Sequence, residues 1–436
     1  MNTVWKLPQL KLDVSPLWRS PGGLQLPSDA ASILTGAWNA LISKCKSGNL
    51  GFLDWPDSSE CAHTLEQVQK LATALRGNYE GALCIGIGGS YLGPAALQDI
   101  FLDIPSKESF PVHWVSNVDS AAIKKAEHFL ASRKCAVVII SKSGGTTETL
   151  AAWFYLSHLF RDEDIVVITD PREGELRRLS NSLGWKSLSV PPNIGGRFSV
   201  LTSVGLFPLA LQNIAVHELI QGASLMNKAL MSFTADENPA ALYAYSKYLW
   251  DISGCSIDYF MPYDSRLKSL AEWYVQLWAE SLGKKQITTQ KAVGPNPVAA
   301  LGTSDQHSLL QLFKEGPRKR LIGFLTAHEA DSPQIGKPNF DSPQYSFLSR
   351  HTFNQLNILA SEATQESLIN AEVPTYRFEL SDLTPKTLGA FLQFQETACG
   401  LAGELYQVNA FDQPGVEESK KILRRKLDSE TPSSML

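Results

Sequence analysis

Five consecutive apolar residues, Ala136-Val137-Val138-Ile139-Ile140, constrain this chain more than any other feature. A strand with no polar alternation is buried on both faces, and a parallel sheet covered by helices on either side provides that burial. Runs of the same kind recur at Ala82-Leu83-Cys84-Ile85-Gly86-Ile87, Pro111-Val112-His113-Trp114-Val115 and Asp164-Ile165-Val166-Val167-Ile168-Thr169. Helical patterns separate them at Ala62 to Leu75, Ala121 to Ala131, and from the loop after Ile140 to about Phe160. A second set begins near residue 240. It has strands at Asp258 to Tyr263, Arg320 to Leu325 and Tyr376 to Leu380, a long helix at Arg266 to Leu282, and a closing helix at Thr387 to Tyr406, interrupted at Gly389 and Gly400. The expected fold class is α/β, with two αβα sandwich domains around mainly parallel sheets. We place the first domain at 50–235 and the second at 236–410. Residues 1–49 form an N-terminal extension and 411–436 a C-terminal segment. There, Glu417 to Leu427 reads as a basic helix and Ser429 to Leu436 as a frayed tail. A length of 436 residues suits this division.

Composition narrows the function classes. Thirty-nine basic against 44 acidic residues leave a net charge of −5, which disfavours a nucleic-acid partner. The apolar stretch Val200 to Leu211 is broken by Thr202, Ser203, Gly205 and Pro208, so no membrane span is expected. The opening Met-Asn-Thr-Val-Trp-Lys lacks the apolar core of a secretory signal, which favours the cytoplasm. The six cysteines, Cys45, Cys61, Cys84, Cys135, Cys255 and Cys399, form no CxxC pair. Buried thiols are the simpler reading than disulfides or zinc ligands, and no metal site is expected.

The loops after the strands carry the chemistry. Gly86-Ile87-Gly88-Gly89-Ser90-Tyr91-Leu92-Gly93 follows a strand and opens a helix, a setting for a tight turn that offers backbone N–H groups to an anion. As a GxGxxG dinucleotide motif it fails at Tyr91, although Asn117 or Asp119 keeps that alternative open. The loop Ser141-Lys142-Ser143-Gly144-Gly145-Thr146-Thr147-Glu148-Thr149 gathers hydroxyls at a helix start, as the oxygens of a phosphate monoester require. It is not a P-loop. The competing reading is ordinary N-capping by Ser143, Thr146 or Thr147. Lys142 either adds charge or points to solvent. Arg197, within Pro191 to Ser199, is either an oxyanion stabiliser or a domain-locking arginine. Glu280 shares a helix face with Gln276 and is either a proton-transfer base or an exposed helix glutamate. His307 lies in a polar loop where it either moves protons or packs. The run Lys420, Lys421, Arg424, Arg425 and Lys426 reads as a solvated helix face.

Taken in order, these segments resemble the glucose-6-phosphate isomerase (phosphoglucose isomerase) family over essentially the whole chain. The matching motifs are Gly86 to Ser90, Ser141 to Thr149, Gly195-Gly196-Arg197-Phe198-Ser199, Glu280-Ser281-Leu282-Gly283-Lys284, Gly302-Thr303-Ser304-Asp305-Gln306-His307-Ser308 and Phe411-Asp412-Gln413-Pro414-Gly415-Val416-Glu417-Glu418-Ser419-Lys420. The resemblance implies two sugar-isomerase-type domains and a homodimer with a shared active site. It also implies that Ser90, Ser141, Ser143 and Thr146 bind phosphate, with Lys142 and Thr147 contributing. Gly89, Gln276 and Gln413 would position the sugar. Arg197 would stabilise developing negative charge, Glu280 would move the proton between C1 and C2, and His307 (from the partner subunit) and Lys420 would assist ring opening. Leu282, where many members have asparagine, and Pro414, in place of the large aromatic residue common in some branches, depart from the pattern. The implied reaction interconverts glucose 6-phosphate and fructose 6-phosphate through a cis-enediol(ate), with no cofactor. A related sugar-phosphate isomerase, a nonenzymatic phosphosugar-binding protein and a nucleotide-dependent oxidoreductase are the competitors.

Overall fold

The computed structural model describes residues 3–19, 24–101, 110–340 and 343–429; from residue 430 onward the expected frayed tail lies outside them. The chain starts with an antiparallel hairpin, β1 (Val4–Leu7) and β2 (Leu10–Asp13), whose Trp5, Leu7, Leu10 and Leu12 face the core. Next come β3 (Gly81–Ile85), β4 (Val112–Val115), β5 (Cys135–Ile140), β6 (Ile165–Thr169) and β7 (Lys186–Ser189). They form an all-parallel sheet in the order β4-β3-β5-β6-β7. Every residue of β3, β5 and β6 is buried, as their unbroken apolar character requires.

The second half of the chain begins its strands with β8 (Ile257–Pro262). A short ribbon of β9 (Lys284–Lys285) and β10 (Ala292–Val293) stands apart, and β11 (Asn296–Ala299), β12 (Arg320–Ala327) and β13 (Thr375–Leu380) complete the set. The second sheet has the order β1-β2-β13-β12-β8-β11. The strands β8, β11, β12 and β13 are parallel, and the N-terminal hairpin adds antiparallel against β13. Residues 4–13 thus complete a sheet whose other strands lie beyond residue 250. Their four-residue strands are too short to show a period in the sequence.

A shared core joins the inner faces of both sheets through the helices Val216–Met231, Pro239–Ile252, Lys268–Leu282 and Pro385–Tyr406. Smaller clusters cover each sheet's outer face. The closing helix is not interrupted at Gly389 or Gly400: Pro385–Tyr406 is one helix of 22 residues. The glycines serve packing instead. A Cβ on Gly389 would stand 1.9 Å from the Leu219 carbonyl oxygen, and one on Gly222 would stand 1.8 Å from that of Lys386. Two backbones touch there, so Gly389→Ala is expected to destabilise the protein by about 1–3 kcal/mol through overpacking. Chemical denaturation measures this, and an unchanged midpoint would mean that the helices can separate freely. All six cysteines are buried and none is in a disulfide. Among the described residues, no helix is long and apolar enough to cross a membrane.

Candidate active site

The loops at the C-terminal ends of β3, β5 and β6 open into a cleft of about 630 Å³. The Ser141 amide extends the ladder by donating to the Ile168 carbonyl at 3.0 Å, and the chain then reverses through Gly144 at φ 67°. A side chain at Gly144 would be strained, and its Cβ would crowd the Leu176 amide at 3.0 Å. Thr146 is the N-cap residue of the helix Thr147–Leu156, yet its hydroxyl makes no cap bond; it pairs with the Ser141 hydroxyl at 2.9 Å. The N-capping expected of the Thr146 side chain is therefore absent. Ser90, Ser143, Thr146 and the helix start face the same space.

Lys142 neither points to solvent nor stands free. Its ammonium donates to the carbonyls of Pro192 at 2.8 Å and Ile194 at 2.6 Å, tying the hydroxyl loop to the segment that leads to Arg197. Burial lowers its pKa. Gly89 brings the loop after β3 against the same segment. A Cβ there would lie 2.4 Å from the Gly196 carbonyl oxygen.

Arg197 sits in the turn Gly196–Phe198 and is 3% exposed. Its Nε donates to Ser281 Oγ at 2.7 Å and its Nη1 to Gln413 Oε1 at 2.9 Å, while Nη2 donates to the carbonyls of Ala410 and Asp412. Glu280 Oε1 stands 3.7 Å from Nη1. Burial lowers the pKa of this guanidinium and the Glu280 charge opposes the shift; an arginine in this setting stays protonated. Gln276 and Glu280 project from one face of the helix Lys268–Leu282, and Gln276 Nε2 donates to Glu280 Oε2 at 3.1 Å. That geometry leaves a half-buried carboxylate oriented toward the cleft beside a fixed cation. Such a pair can take a proton from carbon while negative charge grows alongside.

The cleft brings together Gly89, Ser90, Lys142, Ser143, Thr146, Arg197, Gln276, Glu280, Gln413 and Lys420. Ser141 is buried one layer beneath and reaches the cleft through Thr146. Thr147 is exposed and does not line it. His307 is exposed in the first turn of the helix Gln306–Glu315 and lies outside the cleft of its own chain. Lys420, on the helix Glu417–Ser429, pairs with Glu417 at 2.7 Å.

Two supporting residues had no role assigned from the sequence. Ser281 accepts from Arg197, and Lys284 binds Asp412 Oδ1 at 2.8 Å and the carbonyls of Asn409 and Asp412, fixing the loop that presents Gln413. Both stand in the segment that carries Glu280, so proximity in sequence was the available signal. Leu282 is fully buried, so the departure at this position fills core. Among the described residues no group of three or more His, Cys, Asp or Glu could hold a metal ion.

Fold and site define a two-domain α/β protein in which a hydroxyl-rich loop shares one cleft with a carboxylate–guanidinium pair. The family model described as phosphoglucose isomerase matches residues 72–436. A glucose-6-phosphate isomerase of Thermus thermophilus is 36% identical, with 96% of this chain and 99% of that protein covered. One from Carboxydothermus hydrogenoformans is 36% identical over 89% and 87% of the two chains. Among solved structures, a hypothetical protein from Thermus thermophilus superposes with a TM-score of 0.86 at 34% identity, covering 96% of this chain and 99% of that one. A glucose-6-phosphate isomerase from Chlamydia trachomatis shares the fold at a TM-score of 0.80 and 19% identity, over 99% and 91% of the chains. The chain belongs to the phosphoglucose isomerase family.

Proposed function

We propose that this protein is an aldose–ketose isomerase that interconverts D-glucose 6-phosphate and D-fructose 6-phosphate. One observation carries the reading: the Ser143–Thr146 loop and the Glu280–Arg197 pair open into the same cleft. Ser90, Ser143 and Thr146 hold the phosphate, Ser141 orients Thr146, and the Thr147 backbone adds its helix-start N–H. Lys142 holds the loop in place. Gly89, Gln276 and Gln413 position the sugar. Glu280 takes the proton from C2 of the open-chain aldose and returns it to C1. Arg197 stabilises the cis-enediol(ate) formed between those steps. Both transfers occur within one carbon skeleton, so the reaction requires no hydride acceptor.

Ring opening is assigned to Lys420 and His307 of the partner subunit in a homodimer. The exposed His307, which does not line the cleft of its own chain, supports this assignment. Mixing Glu280→Gln protein with His307→Asn protein should restore partial activity, because one site of the mixed dimer then has both groups intact. Sedimentation at assay concentration should show a dimer. No recovery after subunit exchange would place His307 in its own chain's chemistry.

The direct test incubates the purified protein with glucose 6-phosphate alone and follows fructose 6-phosphate by NMR. Absence of product would leave a phosphosugar-binding protein, and equal turnover of mannose 6-phosphate would point to a broader sugar-phosphate isomerase. Ser143→Ala/Thr146→Ala should weaken glucose 6-phosphate binding about tenfold or more without unfolding, since two charge-assisted hydrogen bonds are lost. Calorimetric titration giving wild-type affinity for that variant would move the phosphate elsewhere.

A further inference from the structure

The β4 edge of the first sheet carries a pocket that the proposed reaction does not use. It lies between β4 and the helix Ser120–Ala131, measures about 550 Å³, and is lined by His113, Lys124, Lys125, His128, Phe129 and Arg133. The helix begins beyond the C-terminal end of β4 and runs back along the sheet, so residues 124–133 lie toward the end opposite the cleft. In a chain of net charge −5, the lining has three permanent cations and two imidazoles and no carboxylate.

Those five basic side chains make no hydrogen bond or ion pair with any described residue. Arg197 and Lys142, in contrast, have their donors taken up by protein acceptors. Two of the basic groups are nonetheless held against Phe129. The His113 imidazole stacks on Phe129 at 5.2 Å, and the Arg133 guanidinium carbon stands 4.2 Å from the same ring's centroid. The Arg133 stem crosses Gly81, where a Cβ would come within 3.1 Å of its Cδ. Lys124 and His128 are i,i+4 neighbours, so they share a helix stripe. Burial and the charges of Lys125 and Arg133 push His113 below its ordinary pKa range, which marks a place short of negative charge.

We propose that this pocket binds a small molecule bearing a diphosphate or longer phosphate chain, at a site separate from the cleft. Lys124 and Lys125 on the helix and Arg133 in the turn after it offer unused donors around one concavity. These suit phosphate oxygens, and three separate cations suit two linked phosphates better than one. The volume falls in the range of small-molecule sites, about 300–1,000 Å³.

The probe is inorganic pyrophosphate, titrated calorimetrically into the full-length protein with the cleft filled by saturating fructose 6-phosphate. One pyrophosphate should bind per chain, at least about tenfold more tightly than orthophosphate. The affinity should fall as salt rises. Lys124→Gln/Lys125→Gln alters two exposed positions, so isomerisation and thermal midpoint should stay at wild-type values while pyrophosphate affinity drops about tenfold or more. No binding with the cleft filled, equal affinity for orthophosphate, or an unchanged affinity in the double variant would each overturn the proposal.

Discussion

Glu280→Gln is expected to lower kcat by about 10²–10⁴-fold, the usual contribution of a positioned general base. The amide is nearly the size of the carboxylate, and its oxygen can still accept the hydrogen bond that Gln276 Nε2 donates at 3.1 Å. Folding and substrate affinity should therefore change little, so the loss falls on kcat and not on KM. What disappears is the carboxylate proposed to receive a proton from carbon. Exchange of the C2 hydrogen of glucose 6-phosphate with deuterated solvent, followed by NMR, reads that step apart from ring opening. If folded Glu280→Gln protein exchanged this hydrogen at the wild-type rate, the base would have to be another residue.

Arg197→Lys should cost about 10²–10³-fold in kcat, comparable to removing a donor aimed at developing oxyanion charge. The substitution keeps a positive charge but removes the fork that holds Ser281, Gln413 and two main-chain carbonyls at once. Two kinds of loss follow. Buried acceptors left without a donor cost about 1–3 kcal/mol each, which lowers the thermal midpoint. Gln413 also loses its fixed orientation, so KM should rise along with the fall in kcat. Gln413→Ala separates the effects: it should raise KM while leaving most of the charge stabilisation in place. A lysine variant with wild-type kcat would show that charge alone suffices and that the guanidinium geometry is incidental.

The roles of the two arginine-side supports, Ser281 and Lys284, illustrate what a linear reading reaches. That Gln276 shares the helix face of Glu280 was legible four residues away, because helical geometry imposes that relation locally, while the role of base came only with the family resemblance. Ser281 points the other way on that helix and is fully buried. Its partner is 84 residues distant in sequence, and no local pattern encodes that meeting. Gly389 shows the converse error. Local propensity reads a glycine as a helix break, whereas the neighbouring backbone of Leu219 makes it a packing requirement.

By itself the sequence determined the α/β class, because unbroken apolar strands such as Cys135–Ile140 can be buried only in a sheet covered on both faces. It also determined where the hydroxyl loop lies, directly after one of those strands and before a helix. Only the tertiary structure decided which side chains meet. Arg197 reaches Gln413 across 216 residues of chain, Lys142 is held by carbonyls, and Ser141 is buried behind Thr146. The same closure carries the hairpin at residues 4–13 to the edge of the second sheet and leaves His307 outside its own cleft. Periodicity reports which face of an element is buried. The partner on that face depends on contacts between distant segments, and these form only when the two sheets pack around their shared core.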